Sequence, residues 1–253
     1  MSVTVLRGRA ESVDADRAAS QRLLEIASGG TPAVRVWRPH RQVAFGRRDA
    51  RLEGYEDAQA VARTHGFPPV ERSVGGRAVA YDGETTLAFA RAEPVEDFRQ
   101  GTDERYERLT NNLERALERL DIDAVRGEPD DSFCPGAHSL SVANSRDHAG
   151  SPLSAEPRKI VGIAQRVQQD AALASGIIVV ANRDELANVL AGVYEALEIP
   201  FDSASVGAIA NTGRSGRGET GSRSGGRLDT ERVRRVLEET LVGDRQIEAV
   251  NVD

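Results

Sequence analysis

Strand-like segments and amphipathic helices follow one another along this chain in an irregular order, and that order limits the folds it can adopt. Residues 176–180 form an apolar run typical of a buried strand, whereas residues 103–120 repeat leucines at helical spacing. Segments 139–142 and 159–165 predict paired strands joined by an exposed hairpin tip at 144–157. Because strands and helices do not alternate strictly, the sequence predicts an α+β fold with mixed sheets flanked by helices.

The composition changes near residue 200. Residues 211–226 are rich in glycine, serine and arginine. They follow no predicted strand and lack the Gly-Lys-Ser/Thr sequence of a phosphate loop, so they favour a mobile linker. A further helix is predicted at residues 229–241. We therefore expect a main domain over residues 1–200, and a Gly/Arg-rich linker with a helical tail over residues 201–253.

The overall composition narrows the function. A net charge of −7 would repel phosphates, so we expect no nucleic-acid partner. No apolar run approaches membrane-spanning length, and a single cysteine excludes an intrachain disulfide. These features predict a cytoplasmic protein with no membrane partner. The many carboxylates and the near absence of lysine are typical of a halophilic protein from a GC-rich source.

The chain has one lysine and one cysteine. Lysine and arginine together number 33, yet Lys159 is the only lysine. Lysine is a compact point charge whose pKa shifts on burial, and the larger planar arginine does not replace it in a tight polar site. Cys134 lies 25 residues earlier, in a loop with proline and glycine. The alternative interpretation is that Lys159 is a surface lysine retained by chance.

A Gly-Gly turn is a second candidate site. Gly75 and Gly76 allow positive φ and let backbone N–H groups approach an anion or a long ligand. Arg72 and Arg77 flank the turn, as a carboxylate or phosphate site would require. The alternative is a plain β-turn with two solvated arginines.

Three segments, in order, resemble the lipoate–protein ligase/octanoyltransferase family, whose fold is shared with biotin–protein ligases. Residues 72–81 are similar to the family's Arg-x-x-Gly-Gly-(Gly/Arg)-Ala-Val-x-His loop. Residues 159–166 are similar to its Lys-Ile-x-Gly-Ser-Ala-Gln-Arg strand, and residues 45–47 resemble its glycine-ended strand. The resemblance covers about residues 15–200. It implies that the main domain is a biotin/lipoate protein ligase-like catalytic domain.

The resemblance also implies roles for individual residues. Lys159 would lie at the acyl carbonyl or acyl-phosphate oxygen, where an ammonium stabilises charge that develops in the transition state. The loop from Arg72 to Arg77 would wrap the acyl chain and its activated carboxylate. The implied substrate-binding residues are Arg72, Val74, Gly75, Gly76, Arg77, Ala78, Tyr81, Gly162 and Ala164.

Cys134 resembles the thiol of the family's cysteine-dependent octanoyl and lipoyl transferases, which comes just before the lysine-bearing strand and forms a thioester intermediate. The resemblance therefore implies that Cys134 is the catalytic nucleophile. A thiol in a loop beside a cation is a suitable setting for that role. The alternative is that Cys134 is an inert small hydrophobe, as buried free cysteines commonly are.

Three positions depart from the family pattern. Tyr81 stands where the family usually has histidine, Ser175 lies where it usually has His-Gly, and Ile163 replaces a common serine. The family's two histidines would shape the acceptor side of the site. Because both are replaced here, the sequence leaves the identities of the acyl donor and the acceptor open. The four histidines of this chain show no metal-ligand spacing, and we expect no metal in the fold.

Three functions follow as hypotheses. The first is an octanoyl/lipoyl transferase that needs no cofactor and acts through a Cys134 thioester on the lysine of a lipoyl-domain protein. Its partners would be the E2 subunit of a 2-oxoacid dehydrogenase or the glycine cleavage H protein, with acyl carrier protein as a further donor. The second is a lipoate–protein ligase that uses ATP and Mg and forms a lipoyl-adenylate. The third is a non-catalytic protein that binds a lipoyl domain or an acyl ligand.

Overall fold

The computed structural model describes residues 2–72, 75–143, 156–211 and 229–252. The predicted hairpin tip at 144–157 and the predicted linker at 211–226 lie almost entirely outside these ranges. Within them the α-helices are α1 (Val13–Ser28), α2 (Tyr55–Thr64), α3 (Thr102–Glu118), α4 (Arg183–Ala196) and α5 (Thr230–Val242). The strands are β1 (Ser2–Arg7), β2 (Ala33–Trp37), β3 (Gln42–Phe45), β4 (Pro69–Glu71), β5 (Val79–Tyr81), β6 (Thr86–Pro94), β7 (Ala124–Arg126), β8 (Leu140–Val142), β9 (Arg158–Val167), β10 (Ala171–Val179) and β11 (Gln246–Asn251). None of these helices is long and apolar enough to cross a lipid bilayer.

The strands form two mixed sheets. The larger has the order β11-β1-β2-β6-β10-β9-β8-β7, in which β1 is parallel to β11 and β2 and the remaining pairs are antiparallel. The smaller has the order β4-β3-β5, with one parallel and one antiparallel pair. The predicted α+β fold with mixed sheets flanked by helices is confirmed.

Helices bury both faces of the larger sheet. Helices α3 and α5 pack on one face, where Leu113 and Leu237 join the same buried cluster as Leu87 of β6. Helix α1 packs on the other face through Leu24, which clusters with Ala90 of β6. Odd and even positions of β6 therefore face different clusters, as the two-residue period of a strand requires. Helices α2 and α4 pack on each other and complete the cluster around the smaller sheet.

The two candidate loops belong to different sheets. The Gly-Gly turn joins β4 to β5 in the smaller sheet, whereas the Cys134 loop joins β7 to β8 at one end of the larger sheet. Lys159 lies in β9, where it pairs with Ser141 of β8. The predicted pairing of these two strands is confirmed. It places Lys159, the only lysine of the sequence, in contact with the Cys134 loop.

The C-terminal segment is built into the main body. Helix α5 forms close to its predicted position and packs on α3 and the larger sheet. It leads into β11, which the sequence did not predict and which pairs with β1 along all six residues. Strand β11 was missed because it is mostly exposed and its apolar residues do not alternate strictly with polar ones. The predicted division into residues 1–200 and 201–253 did not include a strand that joins the C-terminal segment to the larger sheet.

A core substitution in α5 tests that integration. Leu237 is 1% exposed, so Leu237→Ala should leave a cavity in the main core and lower the free energy of unfolding by about 2–5 kcal/mol. Arg235→Ala, on the exposed side of the same helix, is the matched control and should change little. Thermal and denaturant unfolding check both variants. An unchanged free energy of unfolding for Leu237→Ala would mean that α5 contributes nothing to the core.

Candidate active site

Cys134 is held in a fixed and unusual backbone conformation. Its φ of 44° lies in the left-handed region, which non-glycine residues seldom adopt. Its N–H donates to the hydroxyl of Tyr194 at 2.7 Å, and its carbonyl accepts from Lys159 Nζ at 2.7 Å. The residue is only 5% exposed, and Arg72 Nη2 donates to Sγ at 3.3 Å. Cys134 is therefore buried, as an inert cysteine would be, but a cation is bonded to its sulfur.

Lys159 is fully buried, so the interpretation of a surface lysine is wrong. Its ammonium bonds to Glu128 Oε2 at 2.5 Å and lies 5.1 Å from the centre of the Phe133 ring. Burial lowers the pKa of Lys159, and the charges of Cys134 and Glu128 oppose that shift. The carbonyl of Cys134 and the carboxylate of Glu128 together supply the polar partners that a buried ammonium requires.

Glu128 is a site residue that sequence reasoning missed. Besides Lys159, its carboxylate accepts from Ser139 Oγ at 2.7 Å and from Gly136 N–H at 2.8 Å. Burial alone would raise the pKa of Glu128, but the hydrogen bonds from Lys159 and Ser139 outweigh it and hold the pKa below its usual value. Glu128 therefore fixes both the lysine and the far side of the Cys134 loop. No sequence spacing connects it to residues 31 positions away.

The Gly-Gly turn lies against the thiol. Gly76 has φ of 89°, and a Cβ at this position would lie 2.6 Å from Cys134 Sγ and 2.6 Å from Arg72 Nη2. Only glycine fits such a position. Gly46, at the end of β3, is packed equally closely, because a Cβ there would lie 1.9 Å from the carbonyl oxygen of Gly76. Gly46 and Gly76 lie in two of the segments that resemble the family, and their lack of a side chain allows these segments to pack closely against each other.

The two arginines of the turn are bound to the protein. Arg72 Nη2 donates to the carbonyl of Arg77 at 2.6 Å, and Arg77 Nη1 donates to Asp49 Oδ1 at 3.2 Å. Asp49 is fully buried and also accepts from Gly46 N–H at 2.8 Å. The interpretation of two solvated arginines is therefore wrong. Asp49, which the sequence did not single out, fixes the position of the turn.

A cavity lies between α1 and strands β3, β6 and β10, and Arg72 connects it to the thiol. Its apolar lining includes Leu24, Ala44, Ala88, Ala90 and Leu173, and Arg72, Tyr81 and Ser175 are among its polar residues. Burial raises the pKa of Tyr81 to about 12, while Arg72 acts in the opposite direction. At neutral pH Tyr81 is therefore an uncharged phenol.

The predicted site residues fall into two groups. Cys134, Lys159, Arg72, Gly76 and Arg77 are brought together by the contacts above. The carbonyl of Ala78 accepts from the Tyr194 hydroxyl at 3.0 Å, and Tyr81 lines the cavity.

The remaining predicted residues have other surroundings. Gly162 lies beneath the lysine, since a Cβ there would be 3.5 Å from Lys159 Cε. Ala164 is buried and pairs with Ser175. Gly75 is exposed, and Val74 lies outside the described residues. For all of these residues a role in substrate binding stays a prediction. Within the described ranges, no group of three histidine, cysteine, aspartate or glutamate side chains could hold a metal ion.

This chain belongs to the lipoyl protein ligase A/B catalytic domain family, whose model matches residues 15–200. It is 34% identical over 145 residues to an octanoyl-[GcvH]:protein N-octanoyltransferase of Exiguobacterium sibiricum, which covers 56% of this chain and 46% of that protein. It is 33% identical over 121 residues to the octanoyltransferase LipM of Kyrpidia tusciae, covering 46% of this chain and 42% of that protein. The chain spans about half the length of the curated relatives it matches.

Solved structures share the fold. A lipoate-protein ligase A bound with ATP superposes with a TM-score of 0.69 at 18% identity, covering 99% of this chain and 90% of that chain. The bi-partite lipoate protein ligase of Thermoplasma acidophilum superposes with a TM-score of 0.66 at 17% identity, covering 99% and 88%. The predicted ligase-like catalytic fold is confirmed.

Replacement of Glu128 tests the charge network. Glu128→Gln keeps an acceptor oxygen but leaves the buried Lys159 ammonium without a counter-charge. Removing one partner of a fully buried pair costs about 3–5 kcal/mol, and the 20% exposure of Glu128 should reduce this loss in free energy of unfolding. Because the folded-state pKa of Glu128 is lowered, its contribution is present above the unfolded pKa of about 4.3 and is lost as pH falls through the folded pKa.

The variant should therefore lose less stability in acid than the wild type does. Thermal midpoints measured from neutral pH down to about pH 3 check this. Glu195→Gln, at an exposed position on α4, is the control and should keep the pH dependence of the wild type. Parallel pH curves for wild type and Glu128→Gln would contradict the assigned role of Glu128.

Proposed function

We propose that this chain is an octanoyl/lipoyl transferase of protein lipoylation that works through a thioester on Cys134. The observation that carries the proposal is the placement of the only thiol, with Arg72 bonded to its sulfur and Gly76 against it. The names of the relatives support the same reaction class, since they are octanoyltransferases. The chain spans only about half the length of these relatives, so their names do not by themselves establish its activity, and we propose that activity here.

The cavity suits a medium-length acyl chain. Leu24, Ala90 and Leu173 line it and belong to one buried apolar cluster, which is a suitable surface for a hydrocarbon tail. Its lining also contains Arg72, which contacts the sulfur. An acyl group bound along the cavity would thus present its carbonyl carbon to the thiol.

The proposed chemistry has two steps. The Cys134 sulfur attacks the acyl carbonyl carbon, a new C–S bond forms, and the bond from that carbon to the donor's sulfur or nitrogen breaks as the donor atom takes up a proton. The amine of the acceptor lysine then attacks the thioester carbon. An amide forms, the amine loses a proton, and Cys134 leaves as the thiolate. Arg72 stabilises negative charge on the sulfur at both ends of this cycle.

Lys159 contacts the backbone of the proposed nucleophile, Cys134. Within the described part of the chain, two of its three N–H groups are bonded, to Glu128 and to the Cys134 carbonyl. In this proposal the third N–H group donates to the acyl oxygen, on which negative charge develops in both steps. This arrangement keeps the predicted role of Lys159 and adds a structural one, because the same ammonium anchors the loop of the nucleophile.

The proposed donor and acceptors are lipoyl-domain proteins. The names of the relatives support an octanoyl group carried on the glycine cleavage H protein as donor. The E2 subunit of a 2-oxoacid dehydrogenase is the proposed acceptor, and acyl carrier protein is an alternative donor. Transfer between such carriers requires no ATP or metal, and we place it in the cytoplasm.

Two alternatives make different predictions. A lipoate–protein ligase would use ATP and Mg to form a lipoyl-adenylate, with Cys134 incidental. The likeness to ligase structures is one of fold and does not favour this chemistry. A non-catalytic binding protein would use the same cavity without transfer, and the replacement of the family's histidines by Tyr81 and Ser175 is what favours it.

Substitution of Cys134 tests the proposal. Cys134→Ser and Cys134→Ala should both lose transfer of an octanoyl group to a lipoyl domain, because a hydroxyl without an adjacent base is a far weaker nucleophile than a thiolate. Both variants should stay folded, as thermal midpoints measured alongside activity will show. Full transfer by Cys134→Ala would overturn the mechanism, and ATP-dependent ligation by both variants would establish the ligase.

Narrowing the cavity should change chain-length preference. Ala90 is 1% exposed and lines the apolar part, so Ala90→Leu should select hexanoyl over octanoyl donors. One methylene in such a pocket is worth about 10–200-fold in specificity. Ala92→Leu overpacks the same strand two residues away, at a core position that does not line the cavity in the described structure. It should lower stability without changing the preference. An unchanged ratio of kcat/KM values for Ala90→Leu would place the acyl chain elsewhere.

A further inference from the structure

Tyr194 connects the two loops of the site through one hydroxyl group. The residue lies on α4, is fully buried, and its ring packs 4.8 Å from that of Phe201. Its Oη donates to the carbonyl of Ala78 at 3.0 Å and accepts from the N–H of Cys134 at 2.7 Å. Ala78 follows the Gly-Gly turn, whereas Cys134 belongs to the opposite loop. A rigid helix therefore holds both loops at a single oxygen atom.

The conformation of Cys134 explains why such a bond is needed. A non-glycine residue at φ of 44° is strained, and this conformation persists only where its surroundings hold it. Lys159 holds the carbonyl of Cys134, and Tyr194 holds its N–H. Because φ sets the angle between the peptide planes on the two sides of Cα, the bonds to Tyr194 and Lys159 together hold this conformation and with it the direction of the Cα–Cβ bond that carries the thiol. That direction brings Sγ against Gly76 and Arg72.

The same bond also limits where an acyl oxygen can be stabilised. The Cys134 N–H is already donated to Tyr194 and is not free for an oxyanion. Burial raises the pKa of Tyr194 well above its usual value, so the phenol keeps its proton and its two bonds at neutral pH. Charge on the acyl oxygen must then be stabilised by other groups, and Lys159 and Arg72 are the cations that contact the cysteine.

We propose that Tyr194 is a positioning residue for the transfer reaction, which orients the Cys134 thiol and sets its distance from the Gly-Gly turn. This inference rests on the proposed function for its effect on acylation. Its effect on the thiol itself can be measured without any acyl donor, because Cys134 is the only cysteine in the chain.

Tyr194→Phe removes only the hydroxyl oxygen, so two independent rates should change. The rate of thioester formation from an octanoyl donor should fall about 10- to 100-fold, because the thiol is no longer held at the position from which it attacks the acyl carbonyl. KM should change little, because the residues that bind the donor are unchanged. Alkylation of the thiol by iodoacetamide should become about fivefold faster, since one lost hydrogen bond loosens the loop that covers the sulfur. Tyr55→Phe, which removes a hydroxyl from a tyrosine on α2 packed against Phe45, is the control and should leave both rates unchanged.

Three results would overturn the inference. The first is an alkylation rate in folded Tyr194→Phe equal to that of the wild type. The second is equal acceleration in Leu237→Ala, since a general loss of stability would then explain the effect. The third, which needs no variant, is rapid hydrogen exchange at the Cys134 N–H of the wild type. If the wild type forms no thioester, the proposed transfer function fails, and the alkylation and exchange results alone decide the role of Tyr194.

Discussion

The buried ammonium of Lys159 is the constraint on which the site depends. A fully buried charge is tolerated only when polar groups surround it, and here these groups are the Glu128 carboxylate and the Cys134 carbonyl. Strand β9 places the charge, and the loop between β7 and β8 folds around it. The position of the nucleophile thus follows from the need to solvate one lysine inside the protein. Arginine would not fit, because its planar fork is larger and its charge more diffuse.

The second constraint is steric and joins the sheets. Gly46 and Gly76 allow strand β3, the Gly-Gly turn and the thiol to approach within distances that any Cβ would prevent. Asp49 then ties the turn to the end of β3. These contacts place Arg72 where it meets both the sulfur and the cavity. Electrostatic and steric requirements therefore converge on the same small volume, which is where a proposed acyl carbonyl would be attacked.

The sequence predicted the parts of this site that have a local signature. The glycine turn, the segment beginning at Lys159 and the loop of Cys134 each carry a recognisable pattern, and the fold class followed from the order of strands and helices. Glu128 and Tyr194 could not be found in this way, because Glu128 contacts Lys159 across 31 residues of chain and Tyr194 contacts Cys134 across 60, without any shared period. Strand β11 was missed for a related reason, since its pairing with β1 at the other end of the chain has no local signature.

The intermediate itself gives the most direct test of the account. Purified protein is incubated with an octanoyl-carrying H protein, with and without ATP, and its intact mass is measured before and after hydroxylamine. We predict one octanoyl adduct that forms without ATP, maps to Cys134, is released by hydroxylamine and passes to a lipoyl domain as fast as the overall reaction proceeds. An adduct that forms only with ATP, or that lies on another residue, would contradict the thioester mechanism.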